Sequence, residues 1–256
     1  MSTPLIVISA RMASSRFPGK AVVPLAGRPL LAVLIERMRS TGLPVVLATS
    51  THPENDSLAT LGESAGVPVF RGDEDDVLKR HAECARRFEA RDVVRVTGDN
   101  PLTDTETLLR LVELHRREAA DYSYVPGDAL LMGILSEVVS RAALERSWEK
   151  GDRRHRSELV TLYIKEHPEE FKIRTAELPE GLCRPGYRLT VDEPEDVRLM
   201  QALFDRLAAP GKIVAAREAI ALLDREPALA AINAHVRHKV HNVRSVTLDA
   251  AIAEKP

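Results

Sequence analysis

The hydrophobic positions of the first hundred residues fall in short runs rich in β-branched side chains, and a segment with helical spacing follows each run. The runs predict strands at 5–10, 44–50, 67–71 and 92–97. Strands that alternate with helices pair in parallel and need both faces covered, so the pattern predicts an α/β fold with a doubly wound, mostly parallel sheet. A ligand crevice is expected at the carboxyl ends of the strands.

Capping residues and the later apolar runs complete the predicted order of elements. Pro29 opens a predicted helix that ends near Gly42, Asp73 caps one over 74–88, and Asp104 caps one through Glu118. The less regular second half predicts strands at 121–125, 134–139, 171–176 and 187–191, helices at 141–149, 157–166 and 194–207, and two helical patterns within 213–240. A single domain over 1–256 is expected, with an irregular insert at about 125–185 and a tail at 241–256.

Composition narrows the possible functions. The 36 basic and 38 acidic residues give a formal net charge of −2, so the chain as a whole has no reason to attract nucleic acid or an anionic membrane, and any anion site must be local. The apolar run at 5–10 is far shorter than the roughly 20 residues of a bilayer span, and a cytoplasmic location is the default expectation. Cys84 and Cys183 have no metal-site spacing, and we interpret both as structural.

The loop after the first predicted strand concentrates cationic and hydroxyl side chains within 10–20. These side chains are Arg11, Ser14, Ser15, Arg16 and Lys20. They are the groups needed to neutralise and orient the phosphates of a nucleoside triphosphate, although a solvated basic loop is an alternative interpretation. The loop matches only the end of a Walker motif, and the chain has no GxGxxG, so a classical ATPase and a Rossmann dehydrogenase are both disfavoured.

Two acidic residues, Asp99 and Asp192, each follow an apolar run that predicts a strand. Carboxylates at two strand ends can share Mg²⁺, whose other ligands are then phosphate oxygens and water. Each residue alone has an ordinary structural interpretation as a helix cap or a turn residue. Their combination with the basic loop favours phosphoryl-transfer chemistry, which depends mostly on positioning and charge stabilisation. No residue is a convincing general base. His81 and His155 are candidates only because imidazole titrates near neutrality, and histidines on a helix surface are more often inert.

Several stretches together resemble the cytidylyltransferases that activate acidic sugars, especially the branch named for spore-coat polysaccharide biosynthesis. They read ARMASSRFPGK at 10–20, PLAGRPL at 24–30, VFRGDEDDVL at 69–78, VRVTGDNPLTD at 94–104 and LTVDEPEDV at 189–197. Similar segments at 158–171 and 232–236 extend the resemblance over most of the chain. It implies a Rossmann-like nucleotide-diphospho-sugar transferase fold, with CMP transferred from CTP to a small acceptor, such as an acidic sugar, and pyrophosphate released.

The resemblance also assigns roles to individual residues. It implies that Arg11, Ser14, Arg16 and Lys20 bind the CTP phosphates, that Asp99 and Asp192 ligate Mg²⁺, and that Arg71 and Arg80 lie where the base and ribose are held. Arg11, Lys20 and Asp99 are the predicted catalytic residues. A solvated helix side chain is the alternative for Arg80. A homodimer is implied as well, in which the insert at 125–185 reaches across the partner.

One departure from the branch falls in the region expected to face the acceptor. Where the branch has an Arg and an Asp, this chain has Met132 and Leu135, which could be ordinary packing residues. The nucleotide half of the resemblance is therefore better supported than the acceptor half. Two other functions stay open, a metal-dependent glycosyltransferase, for which Asp73-Glu74-Asp75 is the nearest metal motif, and a nucleotide-binding protein without catalysis.

Overall fold

The computed structural model describes residues 3–13, 17–126, 132–179 and 181–236. The strands within these residues are β1 Leu5–Ser9, β2 Pro24–Leu25, β3 Arg28–Pro29, β4 Val45–Ser50, β5 Val69–Gly72, β6 Asp92–Thr97, β7 Tyr122–Tyr124, β8 Glu137–Ser140 and β9 Ile173–Thr175. The α-helices are α1 Leu30–Arg39, α2 Asp56–Ser64, α3 Val77–Arg87, α4 Thr105–Glu118, α5 Arg141–Lys150, α6 Leu162–Glu166, α7 Pro194–Leu207, α8 Ala216–Arg225 and α9 Pro227–Ala230.

Seven of the strands form one sheet in the order β5-β4-β1-β6-β8-β7-β9. Strands β5, β4, β1 and β6 run parallel, β8 runs antiparallel to both β6 and β7, and β7 pairs in parallel with β9. The predicted α/β fold with a mostly parallel sheet is confirmed. The carboxyl ends of β1 and β6 lie side by side, since Ser9 pairs with Thr97, and this brings the loops after the two strands together.

Successive side chains of a central strand point to opposite faces of the sheet, and both sets are apolar, which explains why helices cover both faces. On β1, Leu5 and Val7 pack in a cluster with side chains of α3 and α5, whereas Ile6 and Ile8 pack in a second cluster with side chains of α1 and α4. A third cluster joins α7 and α8 to the loops at the edge of the cleft described below. The sheet is therefore buried on both faces, as its apolar strands predict.

Helix α3 begins three residues later than predicted. Asp73 accepts hydrogen bonds from the backbone N–H groups of Asp75 and Asp76, both at 3.0 Å, and so closes a turn before the helix. Asp76 is the N-cap, accepting from the Lys79 N–H at 2.8 Å. The predicted cap at Asp73 is wrong because its short side chain stabilises the preceding turn instead. The cap at Asp104 is confirmed, since Asp104 accepts from the Thr107 N–H at 2.8 Å.

Two predicted elements of the second half are also corrected. The run at 187–191 is not a strand and makes one isolated bridge, between Arg188 and Met132; its apolar residues Leu189 and Val191 are fully buried without strand neighbours. The predicted helix at 157–166 is reduced to α6, because the Ser157 hydroxyl caps its own turn, accepting from the Leu159 N–H at 3.3 Å. The predicted tail at 241–256 lies outside the described residues. Among the described residues, no helix is long and apolar enough to cross a membrane.

Candidate functional site

A cleft of about 650 Å³ opens where the loops after β1 and β6 meet. The described residues of its lining are rich in charged side chains, and four of these side chains are cationic. These cations are Arg11, Lys20, Arg80 and Arg95, and the acids that line it with them are Asp99 and Glu158. A polar, cation-rich cleft at the carboxyl edge of a parallel sheet is suited to an anionic ligand.

Lys20 brings the two predicted acidic residues together. Its Nζ atom donates hydrogen bonds to Oδ2 of Asp99 and to Oδ1 of Asp192, the second at 2.7 Å. Burial lowers the pKa of the Lys20 ammonium, but the charges of Asp99 and Asp192 and their hydrogen bonds outweigh burial and raise it above its ordinary value. Asp99 and Asp192, which follow Lys20 by 79 and 172 positions in the sequence, therefore meet it at one point, as the sequence predicts.

Asp192 reaches this point from a loop before α7, so its predicted place at a strand end is wrong. The loop is fixed because the Val191 N–H donates to the Asp99 carbonyl oxygen at 2.9 Å. Gly133 makes the packing possible, since a Cβ added there would lie 2.3 Å from the Leu189 carbonyl carbon. A Cβ at Gly98 would likewise lie 2.7 Å from the Ala10 Cβ, so the turn before Asp99 also requires glycine.

A buried network holds the Asp192 side chain. Arg188 donates from Nη2 to Asp192 Oδ2 and to Asp196 Oδ2, both at 3.0 Å, and Asn233 donates to Asp196 Oδ1 at 2.8 Å. Burial lowers the pKa of Arg188, but the hydrogen bonds and charge of Asp196, with those of Asp192, raise it overall. Sequence reasoning missed Arg188 and Asn233. For Arg188 a signal was available, since it is a charged residue within an apolar run, four positions before Asp192.

Arg11 lies on the wall of the cleft next to β5. Its Nη1 donates to the Glu74 carbonyl oxygen at 3.0 Å, and its Nη2 is 3.7 Å from Glu158 Oε2. The side chain keeps 26% exposure, so it is positioned by acids and still open to the cleft. Ser14, Ser15 and Arg16, the other predicted phosphate ligands, lie outside the described residues.

The two arginines predicted near the base and ribose differ in position. Arg80 is 1% exposed and lines the cleft, donating to the Asp73 carbonyl oxygen at 2.6 Å and to the Ser9 hydroxyl at 3.2 Å. Burial, with the charge of Arg11, lowers its pKa to about 10, so it stays cationic at neutral pH. Its alternative interpretation as a solvated side chain is wrong.

Arg71 is not among the described residues that line the cleft. It donates to the carbonyl oxygens of Ser50 at 3.0 Å and His52 at 3.1 Å and pairs with Asp56 at 2.7 Å. These bonds tie β5 to the loop after β4. They give Arg71 a structural task, and its predicted contact with a nucleotide stays a prediction.

Neither of the two histidines is on a helix surface. His81 lines the cleft but is fully buried, and its Nδ1–H donates to the Val77 carbonyl oxygen at 2.8 Å. Burial lowers its pKa to about 3, so the imidazole is neutral. His155 Nε2 is 2.8 Å from Glu166 Oε2, and His155 is not among the described cleft residues.

Arg95 is a cleft residue that the sequence analysis missed. It donates to Glu137 Oε2 at 2.9 Å and to the Glu158 carbonyl oxygen at 3.0 Å. Burial raises the pKa of Glu137, but the charges of Lys165 and Arg95 outweigh it and hold that pKa well below its ordinary value. A charge in the middle of the apolar β6 was the available signal.

The two departures from the spore-coat pattern have different surroundings. Met132 lines the cleft, and its sulfur accepts a weak hydrogen bond from Arg188 Nη1 at 3.6 Å. Leu135 is partly buried and packs against two hydrophobic clusters. Leu135 is therefore a packing residue, while Met132 puts an apolar side chain on the cleft wall.

Comparisons with known proteins identify the family and the fold of the chain. Residues 5–220 match the family model described as cytidylyltransferase. The spore coat polysaccharide biosynthesis protein SpsF of Bacillus subtilis is 36% identical over 89% of this chain and 96% of its own length. A cytidylyltransferase structure from Leptospira borgpetersenii superposes with a TM-score of 0.82 at 25% identity, covering 93% of this chain and all of that one.

A more distant structure shares the fold alone. It is CMP:2-keto-3-deoxy-manno-octonic acid synthetase complexed with CTP, with a TM-score of 0.63 at 19% identity over 80% of this chain and 99% of that chain. The match to the family model covers most of the chain, from the first strand to α8, and includes Lys20, Asp99 and Asp192. The chain therefore belongs to the cytidylyltransferase family and is a nucleotidyltransferase.

Proposed function

We propose that the protein transfers CMP from CTP to a hydroxyl group of a small acceptor, an acidic sugar or a related polyol or phosphosugar, and releases pyrophosphate. The observation that carries the proposal is the meeting of Lys20 with Asp99 and Asp192 at a cleft lined by three further cations. Opposite charges concentrated at one point can hold a polyphosphate together with its counter-ion. The synthetase structure complexed with CTP supports CTP as the nucleotide.

The two carboxylates fit a hard divalent cation. An oxygen of each reaches the same nitrogen of Lys20, so a single cation can touch both, and oxygen ligands are those that Mg²⁺ prefers. We propose that Asp99 and Asp192 hold Mg²⁺, with phosphate oxygens and water as the other ligands. When bound, Mg²⁺ supplies positive charge to the phosphate oxygens as negative charge develops on them.

The proposed reaction is an in-line displacement at the α-phosphorus. A bond forms from the acceptor oxygen to this phosphorus, the bond to the bridging oxygen of pyrophosphate breaks, and the acceptor proton passes to solvent. Arg11 and Lys20 stabilise the departing pyrophosphate by charge, and Arg16 is proposed to assist. His81 is a poor general base because its low pKa leaves little affinity for a proton.

The acceptor half of the site is proposed to lie over β6 and the segment around Gly133. Arg95 and Thr97 project into this part of the cleft from β6, and Met132 covers one side. A cationic floor favours an acceptor with an acidic or phosphate group. The apolar Met132 would favour a less polar group at one position of that acceptor.

A pyrophosphate-release screen tests the proposal. The assay crosses CTP, UTP, ATP and GTP with acidic sugars, phosphosugars, polyols and phosphonates in the presence of Mg²⁺. We expect release with CTP and one acceptor class, lost in Lys20→Met and retained in Lys150→Met. Lys150 is 53% exposed, pairs with Glu170 and is not among the described residues that line the cleft.

Two other results would replace the proposal. Consumption of a nucleotide sugar in place of CTP would indicate a glycosyltransferase, although Asp73, in the nearest Asp-x-Asp motif, caps a turn and is not among the described cleft residues. Magnesium-dependent CTP binding without turnover over the whole panel would indicate a non-catalytic binding protein. We also propose a homodimer, which gel filtration with light scattering would test.

A further inference from the structure

The ammonium group of Lys20 contacts the carboxylates that are the candidate ligands of the divalent cation. Nζ hydrogen-bonds one oxygen of Asp99 and lies 2.7 Å from Oδ1 of Asp192. The second oxygen of Asp192, Oδ2, accepts from Arg188 at 3.0 Å. Lys20 and Arg188 thus engage different oxygens of the Asp192 carboxylate, and the oxygen held by Lys20 shares the ammonium group with Asp99.

We infer that Lys20 and the divalent cation compete for Asp99 and Asp192, and that the nucleotide triphosphate relieves this competition by drawing the ammonium to its phosphates. Mg²⁺ binds carboxylate oxygens at about 2.0–2.1 Å, so it would lie close to the present position of Nζ. Two cations cannot share that position, because their repulsion is strong at such short range in a partly buried site. The inference rests on the proposed function, since it takes the triphosphate as the ligand of the cleft.

The surroundings of Lys20 allow the exchange. The residue lines the cleft and keeps 14% side-chain exposure, so a phosphate there is within reach of its flexible stem. Arg188, by contrast, is 5% exposed and is held by Asp196 as well, so it stays in place and keeps Asp192 oriented. Lys20 is then a positioning residue for the metal as well as a phosphate ligand, and metal and nucleotide bind cooperatively.

Direct metal binding tests this inference without an acceptor. Mn²⁺ replaces Mg²⁺ because its binding can be followed by electron paramagnetic resonance, and the intact chain is titrated with Mn²⁺ alone, with CTP alone in EDTA, and with both. In the absence of CTP we expect Lys20→Met to bind Mn²⁺ about tenfold or more tightly than wild type, because a buried repulsive partner is gone. With CTP present, we expect the order to reverse, since the triphosphate has lost a ligand.

Matched variants separate charge from structure. Lys20→Arg keeps a cation between the carboxylates, so its affinity for Mn²⁺ alone should stay as weak as that of wild type. Lys20→Met combined with Asp99→Asn should lose the gained affinity, which locates the bound ion. Thermal melts with and without Mn²⁺ show whether each variant is folded, and Mn²⁺ should raise the Tm of Lys20→Met more than that of wild type.

The outcomes distinguish this inference from the proposed function. Equal affinity of wild type and Lys20→Met for Mn²⁺ alone, with normal binding of CTP and Mn²⁺ together by wild type, would overturn the competition and leave the proposed function intact. In the opposite case, Lys20→Met binds Mn²⁺ more tightly than wild type does, but wild type binds no CTP under any condition. This result would support the competition for the carboxylates, and it would overturn CTP as the relieving ligand and with it the proposed function.

Discussion

The backbone N–H of Val191 donates a hydrogen bond to the carbonyl oxygen of Asp99, with 2.9 Å between nitrogen and oxygen. This bond joins the turn after β6 to the loop before α7, two segments more than 90 residues apart in sequence. Backbone geometry therefore sets the spacing of Asp99 and Asp192, and their side chains need only short reaches to meet Lys20. The carboxylate pair depends on this contact as much as on its own residues.

Asp99→Asn is expected to lower the rate of pyrophosphate release about 100-fold or more, since it removes the charge of one of the two carboxylates proposed to hold Mg²⁺ against the phosphates. Asp99 is 19% exposed in its side chain and borders the cleft, so the fold should be retained. The rate is measured in the CTP assay, with circular dichroism as the check on folding. Asp205→Asn, an exposed acid on α7, is the control, and equal rates for both variants would contradict the assignment.

Arg188→Met is expected to lower the free energy of unfolding by about 3–5 kcal/mol, because it removes the buried guanidinium that pairs with Asp196 and with one oxygen of Asp192. Arg188 is 5% exposed and Asp196 is 1% exposed. Urea denaturation of the variant measures the loss. The control is Arg198→Met on the surface of α7, where a 64% exposed side chain pairs with Glu195 and a change below about 1 kcal/mol is expected. A similarly small loss for Arg188→Met would show that the network is not important for stability.

Arg80→Gln and Arg71→Gln should affect nucleotide binding differently. Arg80 lines the cleft as a buried cation, so its loss should weaken CTP binding about tenfold or more. Arg71 is bonded to backbone carbonyls away from the cleft, and its loss should change CTP affinity less than about threefold. Isothermal titration calorimetry compares the two variants in the same buffer. A larger effect at Arg71 would place the base or ribose at β5 instead.

His81 predicts a dependence of stability on pH. Burial lowers its pKa from 6.5 to about 3 in the folded state, so below pH 6.5 the unfolded chain takes up a proton that the folded chain does not. Its contribution to stability is therefore complete above pH 6.5 and falls as the pH drops towards 3, by about 1.4 kcal/mol per pH unit. His81→Phe should remove this slope, as measured by urea denaturation at pH 7, 6 and 5. An unchanged slope in the variant would assign the loss to other groups.

The sequence was sufficient for the first half of the site. Strand-end reasoning applied to β1 and β6 because both are apolar, parallel and adjacent, so Lys20 and Asp99 were expected together. Asp192 was expected there for a different reason than the real one, since the apolar run before it packs as a loop and not as a strand. The sequence does not predict that Arg80 lines the cleft and Arg71 does not. The direction of each side chain depends on carbonyl acceptors that come close only in the folded chain.

Asn233 limits where a shortened fragment of the protein can end. The match to the family model ends at residue 220, yet the amide of Asn233 donates both to Asp196 and to the Arg188 carbonyl oxygen, the latter at 3.0 Å. A fragment that ends at residue 220 would lose these two hydrogen bonds, which hold Arg188 and Asp196 behind Asp192. Expression fragments of the protein should therefore include Asn233.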